Sequence, residues 1–384
     1  MPVQGVTNDP WLRELLLAGR DSLRPDDWFD AHTHIGQNDP DGVKATADEI
    51  LECLDVARQS RALLFAMHEP SGYPPANDAV LAACAASGGR LVPLARVAPN
   101  AEGALAEAER CLRAGARGFK LHPRSDEFGL PHPVVEQVVA LAHEHRAPVL
   151  FHAGRGIPHL GEAVVDLARR YPGARLILAH AGITDLGWIA PQLGELPNVF
   201  FDTAWWSIAD LLQLFSTVPP GHILYASDMP YGPGVTTAFL FGRCADAVGL
   251  GDEARRAIAG AQLERVVGGA EPLDVGQAPG PAALGPRVIE AERVVVTASS
   301  AIHVAFRGGD PTEVLQLARS ACRTSRTDEV GVLLRTIDRA LQVALEAGAS
   351  APDRPRAVTP GALVAVALAG TPAVAVPAVG ADAA

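Results

Sequence analysis

From Trp28 to Asp228, short runs of apolar, β-branched and aromatic residues alternate with longer Ala-, Leu-, Glu- and Arg-rich segments in which apolar positions recur three or four apart. That alternation is the pattern of repeated βα units. Eight runs have strand character: WFDAHTH (28–34), RALLFAMH (61–68), RLVPLAR (90–96), ARGFKLH (116–122), PVLFH (148–152), ARLILAH (174–180), NVFFDT (198–203) and HILYASD (222–228). Their ends follow one another at steps of 23 to 34 residues, room for a loop, a helix and a returning loop each time. ADEILECLDVARQ (47–59), AEGALAEAERCLRAG (101–115) and PVVEQVVALAHEH (133–145) carry the helical period between them. Eight such units predict a closed barrel. An open doubly wound sheet typically stops at about five or six strands and opens with a glycine-rich phosphate loop, and no G-x-G-x-x-G follows the first run.

Two further helical stretches, TTAFLFGRCADAVG (236–249) and DEARRAIAGAQLERVVGG (252–269), complete an outer ring, so the barrel is predicted over residues 28–269. Residues 1–27 form an N-terminal extension without the basic start and apolar run of a signal peptide. Residues 270–286 are Pro- and Gly-rich and aperiodic, as in a linker. Asp310-Pro311-Thr312-Glu313 and Thr327-Asp328-Glu329 are helix starts, the latter helix running to about Ala347, which makes 287–349 a small helical appendage. Residues 350–384 are biased to Ala, Val and Pro and read as a poorly ordered tail. Their uncharged stretch is broken by Pro360, Pro372 and Pro377, which argues against a membrane span. The predicted class is α/β: a (β/α)8 TIM barrel with a small, mainly helical C-terminal appendage.

The 384 residues are 48% apolar and 20% charged, enough to bury a sizeable core. A net charge of −12 repels polyphosphate and offers no basic face to nucleic acid or anionic lipid. The five cysteines are odd in number and scattered through helix-like segments, so neither a disulfide framework nor a cysteine zinc site is indicated, and a cytoplasmic protein is expected. A homo-oligomer is left open.

The histidines carry the chemical signal. Side chains alternate along a strand, so Asp30, His32 and His34 share one side and His-x-His at a strand end aims two imidazoles at one point. His32, His34, His68, His122, His152 and His180 all fall at or beside strand ends, and Asp228 ends the eighth strand. In a barrel those ends converge on one mouth, the catalytic face. Six histidines and an aspartate gathered there are costly to desolvate unless a cation organises them. Imidazoles plus a carboxylate suit one zinc ion in an open catalytic site, with Mn2+, Fe2+ or Ni2+ as alternatives.

DAHTHIG, GFKLHP, FHAG, LAHAG and ASDMPYG resemble the strand-end motifs of the amidohydrolase superfamily, and within it those of the amidohydrolase-related (type 2) branch. The resemblance covers about residues 28–268, with Gln262 where the family more often has Asn. It implies a metal held by His32, His34, His152 and Asp228, with His180 either a further ligand or an acid/base group that polarises the substrate. Asp228, near the metal and able to exchange a proton, suits the base that takes a proton from activated water. Lys120 shares the parity of His122 and should face the barrel interior. It is a bridging carboxylated lysine, as in two-metal members, a counter-charge for Asp30 or Asp228, or an anchor for a substrate carboxylate. His122, Arg155 and Trp205 are candidate substrate contacts, and His68, Arg124, Trp206 and Tyr231 lie on loops of the same face. His159, His222 and His303 fall off the strand ends and read as structural.

The leading expectation is a metal-dependent hydrolase of a C–O or C–N bond next to a carbonyl, in a small lactone, ester or amide. The alternative is a metal-dependent decarboxylase of a small carboxylic acid, aromatic acids included. A non-catalytic barrel serving as a scaffold is the remote third and predicts missing ligands, whereas the site is intact in sequence.

Overall fold

The computed structural model describes residues 7–21, 27–154, 156–351 and 353–379. All eight strand-like runs form strands. They are β1 (Phe29–Ile35), β2 (Arg61–Ala66), a third in two pieces, β3 (Leu91–Pro93) and β4 (Ala95–Arg96), then β5 (Phe119–Leu121), β6 (Pro148–Phe151), β7 (Arg175–Leu178), β8 (Val199–Asp202) and β9 (Ile223–Leu224). Neighbours pair in parallel and in chain order. At the break in the third strand the Leu94 N–H donates to Leu64 O (2.9 Å) and the Ala95 N–H to Gly118 O (2.9 Å), so the ladder crosses it. Three backbone bonds join the last strand to the first: Ala31 N–H to Tyr225 O (2.9 Å), Asp228 N–H to His32 O (2.9 Å) and His34 N–H to Met229 O (2.8 Å). The eight strands therefore form a (β/α)8 barrel.

Alternation decides which side chains fill it. Phe29, Phe65, Leu150, Ile177, Phe200 and Leu224 form one cluster inside the barrel. Val149, Phe151, Leu176, Leu178, Val199 and Phe201, one residue out of phase, join the core beneath the outer helices. The helices start where their sequences dictate. Thr46 and Glu49 form a reciprocal capping box at Ala47–Val56, and Pro133 opens Pro133–His145 without giving up a bonded N–H. The N-terminal helix Pro10–Asp21 buries Leu12, Leu15 and Leu16 and packs on the ring helix Gly234–Ala247.

Beyond the ring, helices Ile289–Phe306, Thr312–Ala321 and Glu329–Ser350 form the appendage. Asp310 accepts from the Thr312 N–H (3.0 Å), and Asp328 caps the next helix by accepting from Gly331 N–H (3.1 Å). The tail corrects the expectation of disorder: Arg354–Gly370 is a helix, and every residue from Ala362 to Ala369 is buried. From Ala362 to Ala369 it is apolar on all sides because it is covered on all sides. Glu329–Ser350 and Ile289–Phe306 flank it, and it rests on the ring helices Ile208–Thr217 and Gly234–Ala247. Two glycines permit that packing. A Cβ on Gly361 would lie 2.5 Å from Ala340 O, and one on Gly370 would lie 2.8 Å from Ile208. Among the described residues no helix is long and apolar enough to cross a membrane.

Candidate active site

The carboxyl ends of the strands open into a cavity of about 690 Å³. His32, His34, Lys120, His122, His152, His180, Trp205 and Asp228 all line it. Arg155 lies outside the described residues. At the cavity's centre the ligand atoms of His32, His34 and Asp228 lie within 4.8 Å of one another. His34 Nε2 is 3.0 Å and His32 Nε2 3.3 Å from the same oxygen, Asp228 Oδ1. His152 and His180, the other implied ligands, are paired with each other instead, His152 Nδ1 to His180 Nε2 at 2.9 Å, and His122 stacks on His152 with ring centroids 3.8 Å apart.

The backbone and a buried acid hold these rings in place. Asp30 accepts from the backbone N–H of His32 (2.9 Å) and of Ser227 (3.0 Å), tying the first strand to the residue before Asp228. Asp202 accepts the Nδ1–H of His32 (2.8 Å), the backbone N–H of His180 (2.8 Å) and that of Ala204 (3.0 Å). His180 Nδ1–H donates to Ala204 O (2.6 Å). With His32 protonated at Nδ1, its Nε2 presents a lone pair toward a carboxylate oxygen and toward Lys120 Nζ at 3.3 Å. Asp202 is a site residue that the sequence reading missed. It ends strand β8, and an Asp near the end of the run NVFFDT, like the Asp that ends HILYASD, was the available signal.

Burial sets the charges. It drives His32, His34, His122, His152 and His180 below the ordinary imidazole range, and Lys120 adds to the depression for each of them. The imidazoles are therefore neutral bases with lone pairs to give. Burial lowers Lys120, with Asp202 and Asp228 opposing, and raises Asp228, with His180 and Lys120 opposing. Lys120 therefore shares the buried interior with Asp202 and Asp228, whose carboxylates favour its charged form against the cost of burial. The donor set fits a divalent cation: two neutral imidazoles and a carboxylate converge, each offering one ligand atom within 4.8 Å of the others.

The rim adds residues of other kinds. Arg96, 1% exposed, lines the cavity while donating to Asp126 (3.1 Å), which also lies 3.6 Å from His68. Trp205 donates to Asp210 (2.7 Å) and stands beside Trp206. Tyr231 packs edge-on against His34 and donates to Asp39 (2.6 Å). His303, read from sequence as structural, instead lies against Trp206 at this cavity.

Comparison with known proteins agrees with this geometry. A curated relative, 6-methylsalicylic acid decarboxylase of Penicillium expansum, is 34% identical over 133 residues, 28% of this chain and 41% of that protein. The match thus spans about two fifths of that relative's length. An uncharacterised TIM-barrel protein of Bordetella bronchiseptica has the same fold at a TM-score of 0.52 and 14% identity, over 63% of this chain and 99% of its own. The IDCase of Metarhizium anisopliae matches at 0.51 and 16%, over 65% and 98%. The sequence profile described as amidohydrolase matches residues 29–261, more than half of the chain. With the barrel, the strand-end histidines and Asp228 in place, the chain belongs to the amidohydrolase family, in its type 2 branch.

Proposed function

We propose that the protein is a metal-dependent decarboxylase of a small aromatic carboxylic acid. The observation that carries this reading is the mixed lining of the cavity: His32, His34, Lys120 and Asp228 share it with Trp205 and Trp206, and Trp205 lies 5.8 Å from His180 between ring centroids. Such a cavity suits a flat ring bearing one acidic group. The similarity to 6-methylsalicylic acid decarboxylase favours this reading over hydrolysis of a lactone, ester or amide.

His32, His34 and Asp228 would hold the cation, with His152 and His180 as the further imidazoles beside it. The cation, most suitably Zn2+, supplies Lewis-acid polarisation of the substrate carboxylate and a neighbouring oxygen. Lys120 adds positive charge beneath the carboxylate, and Trp205 orients the ring. Asp228, raised by burial, delivers a proton to the ring carbon that bears the carboxylate. The bond from that carbon to the carboxylate then breaks, its electron pair restores the aromatic ring, and carbon dioxide leaves. Asp228 regains its proton from solvent.

The test is a panel of hydroxybenzoic acids, esters, lactones and amides, offered to the zinc-loaded full chain and to the same protein after dialysis against a chelator. Carbon dioxide from an aromatic acid, lost on chelation, supports the reading. Hydrolysis of an ester, lactone or amide with no acid decarboxylated reverses it.

A further inference from the structure

The cavity is not built by the barrel alone. Ile302, His303 and Phe306 line it from helix Ile289–Phe306, and Thr359 and Leu363 line it from helix Arg354–Gly370. All five lie beyond residue 261, where the family's match ends. In each helix they are spaced one, three or four apart, so each presents one face to the opening. Rings connect that wall to the catalytic end. His180 and Trp205 lie with centroids 5.8 Å apart, Trp205 and Trp206 5.6 Å apart, and Trp206 meets His303 edge-on at 4.8 Å.

The wall is fixed to the barrel by a buried arginine. Arg243, 2% exposed on the ring helix Gly234–Ala247, donates to Thr371 Oγ1 (2.8 Å), Thr371 O (2.7 Å), Val374 O (3.1 Å) and Ala375 O (2.6 Å). It thereby occupies carbonyls at the C-terminal end of helix Arg354–Gly370 and sets a positive charge at the negative pole of that helix.

From this placement we infer that the two C-terminal helices form the specificity wall of the site, which selects an aromatic acid carrying an apolar substituent. The inference rests on the reading of the site as one for an aromatic acid. None of the five side chains carries a carboxylate, ammonium or guanidinium; Ile302, Phe306 and Leu363 form an apolar surface, with His303 the one titratable group among the five. With the acidic group held among His32, His34 and Lys120, the far side of the ring faces Ile302, Phe306 and Leu363. An alkyl group there leaves water for an apolar surface, worth roughly fourfold in affinity per buried methylene.

The experiment is isothermal titration of the zinc-loaded full chain with 2-hydroxybenzoate and with its 6-propyl derivative, carbon dioxide being recorded in the same samples. Wild type is expected to bind the propyl acid at least ~10-fold more tightly. Phe306→Ala and Ile302→Ala are expected to cut that preference by about threefold or more while leaving the affinity for 2-hydroxybenzoate within about twofold. Phe306 is 62% exposed, so Phe306→Ala keeps the test sound where Ile302→Ala fails to fold, as circular dichroism reports. A preference unchanged in a folded Phe306→Ala, or no binding of either acid to wild type, overturns the wall. Binding with a wall-dependent preference but no carbon dioxide sustains the wall and sinks the decarboxylase reading.

Discussion

Asp228 and His180 both sit in the left-handed backbone region, at φ +64° and +57°, where residues other than glycine are uncommon. Their surroundings hold them there, Asp228 through its N–H to His32 O (2.9 Å) and through its carbonyl, which accepts from Tyr231 (2.8 Å) and Gly232 (3.0 Å). Asparagine tolerates this conformation, so Asp228→Asn removes the exchangeable proton without disturbing the chain. It also takes away the one carboxylate of the His32–His34–Asp228 trio, so turnover is read with zinc content restored and checked by elemental analysis, and should be lower by at least ~100-fold. Turnover within a few-fold of wild type would move proton transfer to His180. Asp202→Asn tests a different role. It weakens the acceptor that orients His32, and metal affinity should fall about 10- to 100-fold in a competition titration with a chelating dye. The cysteines have no part in this chemistry. None of the five forms a disulfide and all are buried, and burial pushes Cys53, Cys84, Cys111 and Cys322 to about 12. A thiol reagent at neutral pH should therefore modify almost none before denaturation and all five after it.

At the scale of elements, the strands and the metal-site histidines were legible because both follow from alternation. A run of buried apolar and aromatic residues that ends in His or Asp places that side chain at the mouth, as with His32, His34 and Asp228. The helix Arg354–Gly370 was not legible. Its sequence has no polar face to give a helical period, Pro360 lies inside it, and its composition resembles that of a disordered tail. His303 was misread for a related reason: it belongs to no strand, and only the return of the C-terminal helices over the mouth brings it to Trp206. Arg243 makes that return measurable. Arg243→Leu leaves the buried Thr371, hydroxyl and carbonyl, without this donor, at about 1–3 kcal/mol for each unmet group. Its melting temperature should therefore drop by several degrees at least. A chain ending at Gly269 loses the same acceptors and bares Ile208 of the ring, so it should aggregate or melt well below the full chain. Equal stability of the shortened chain would mean that the C-terminal helices only lean on the barrel.

Across the whole molecule, the barrel supplies rigid strand ends, the buried acids Asp30 and Asp202 fix the imidazoles upon them, and the C-terminal helices complete the cavity from the other side. On the proposed reading, the net charge of −12 opposes the approach of the substrate acid, and its capture falls to Arg124 at the cavity and to the cation that His32, His34 and Asp228 would hold. Raising ionic strength should therefore leave association unchanged or quicken it slightly, read by stopped-flow fluorescence of the two cavity tryptophans. The most direct test of the central assignment follows the fate of the proton. Zinc-loaded full chain is run in D2O with an aromatic acid that it consumes, and the product is read by nuclear magnetic resonance. The expected result is one deuteron at the ring carbon that carried the carboxylate, appearing at the rate at which carbon dioxide is released and slowed in Asp228→Asn. A product that keeps its carboxylate carbon, carries no deuteron on the ring and has gained oxygen from solvent would contradict it.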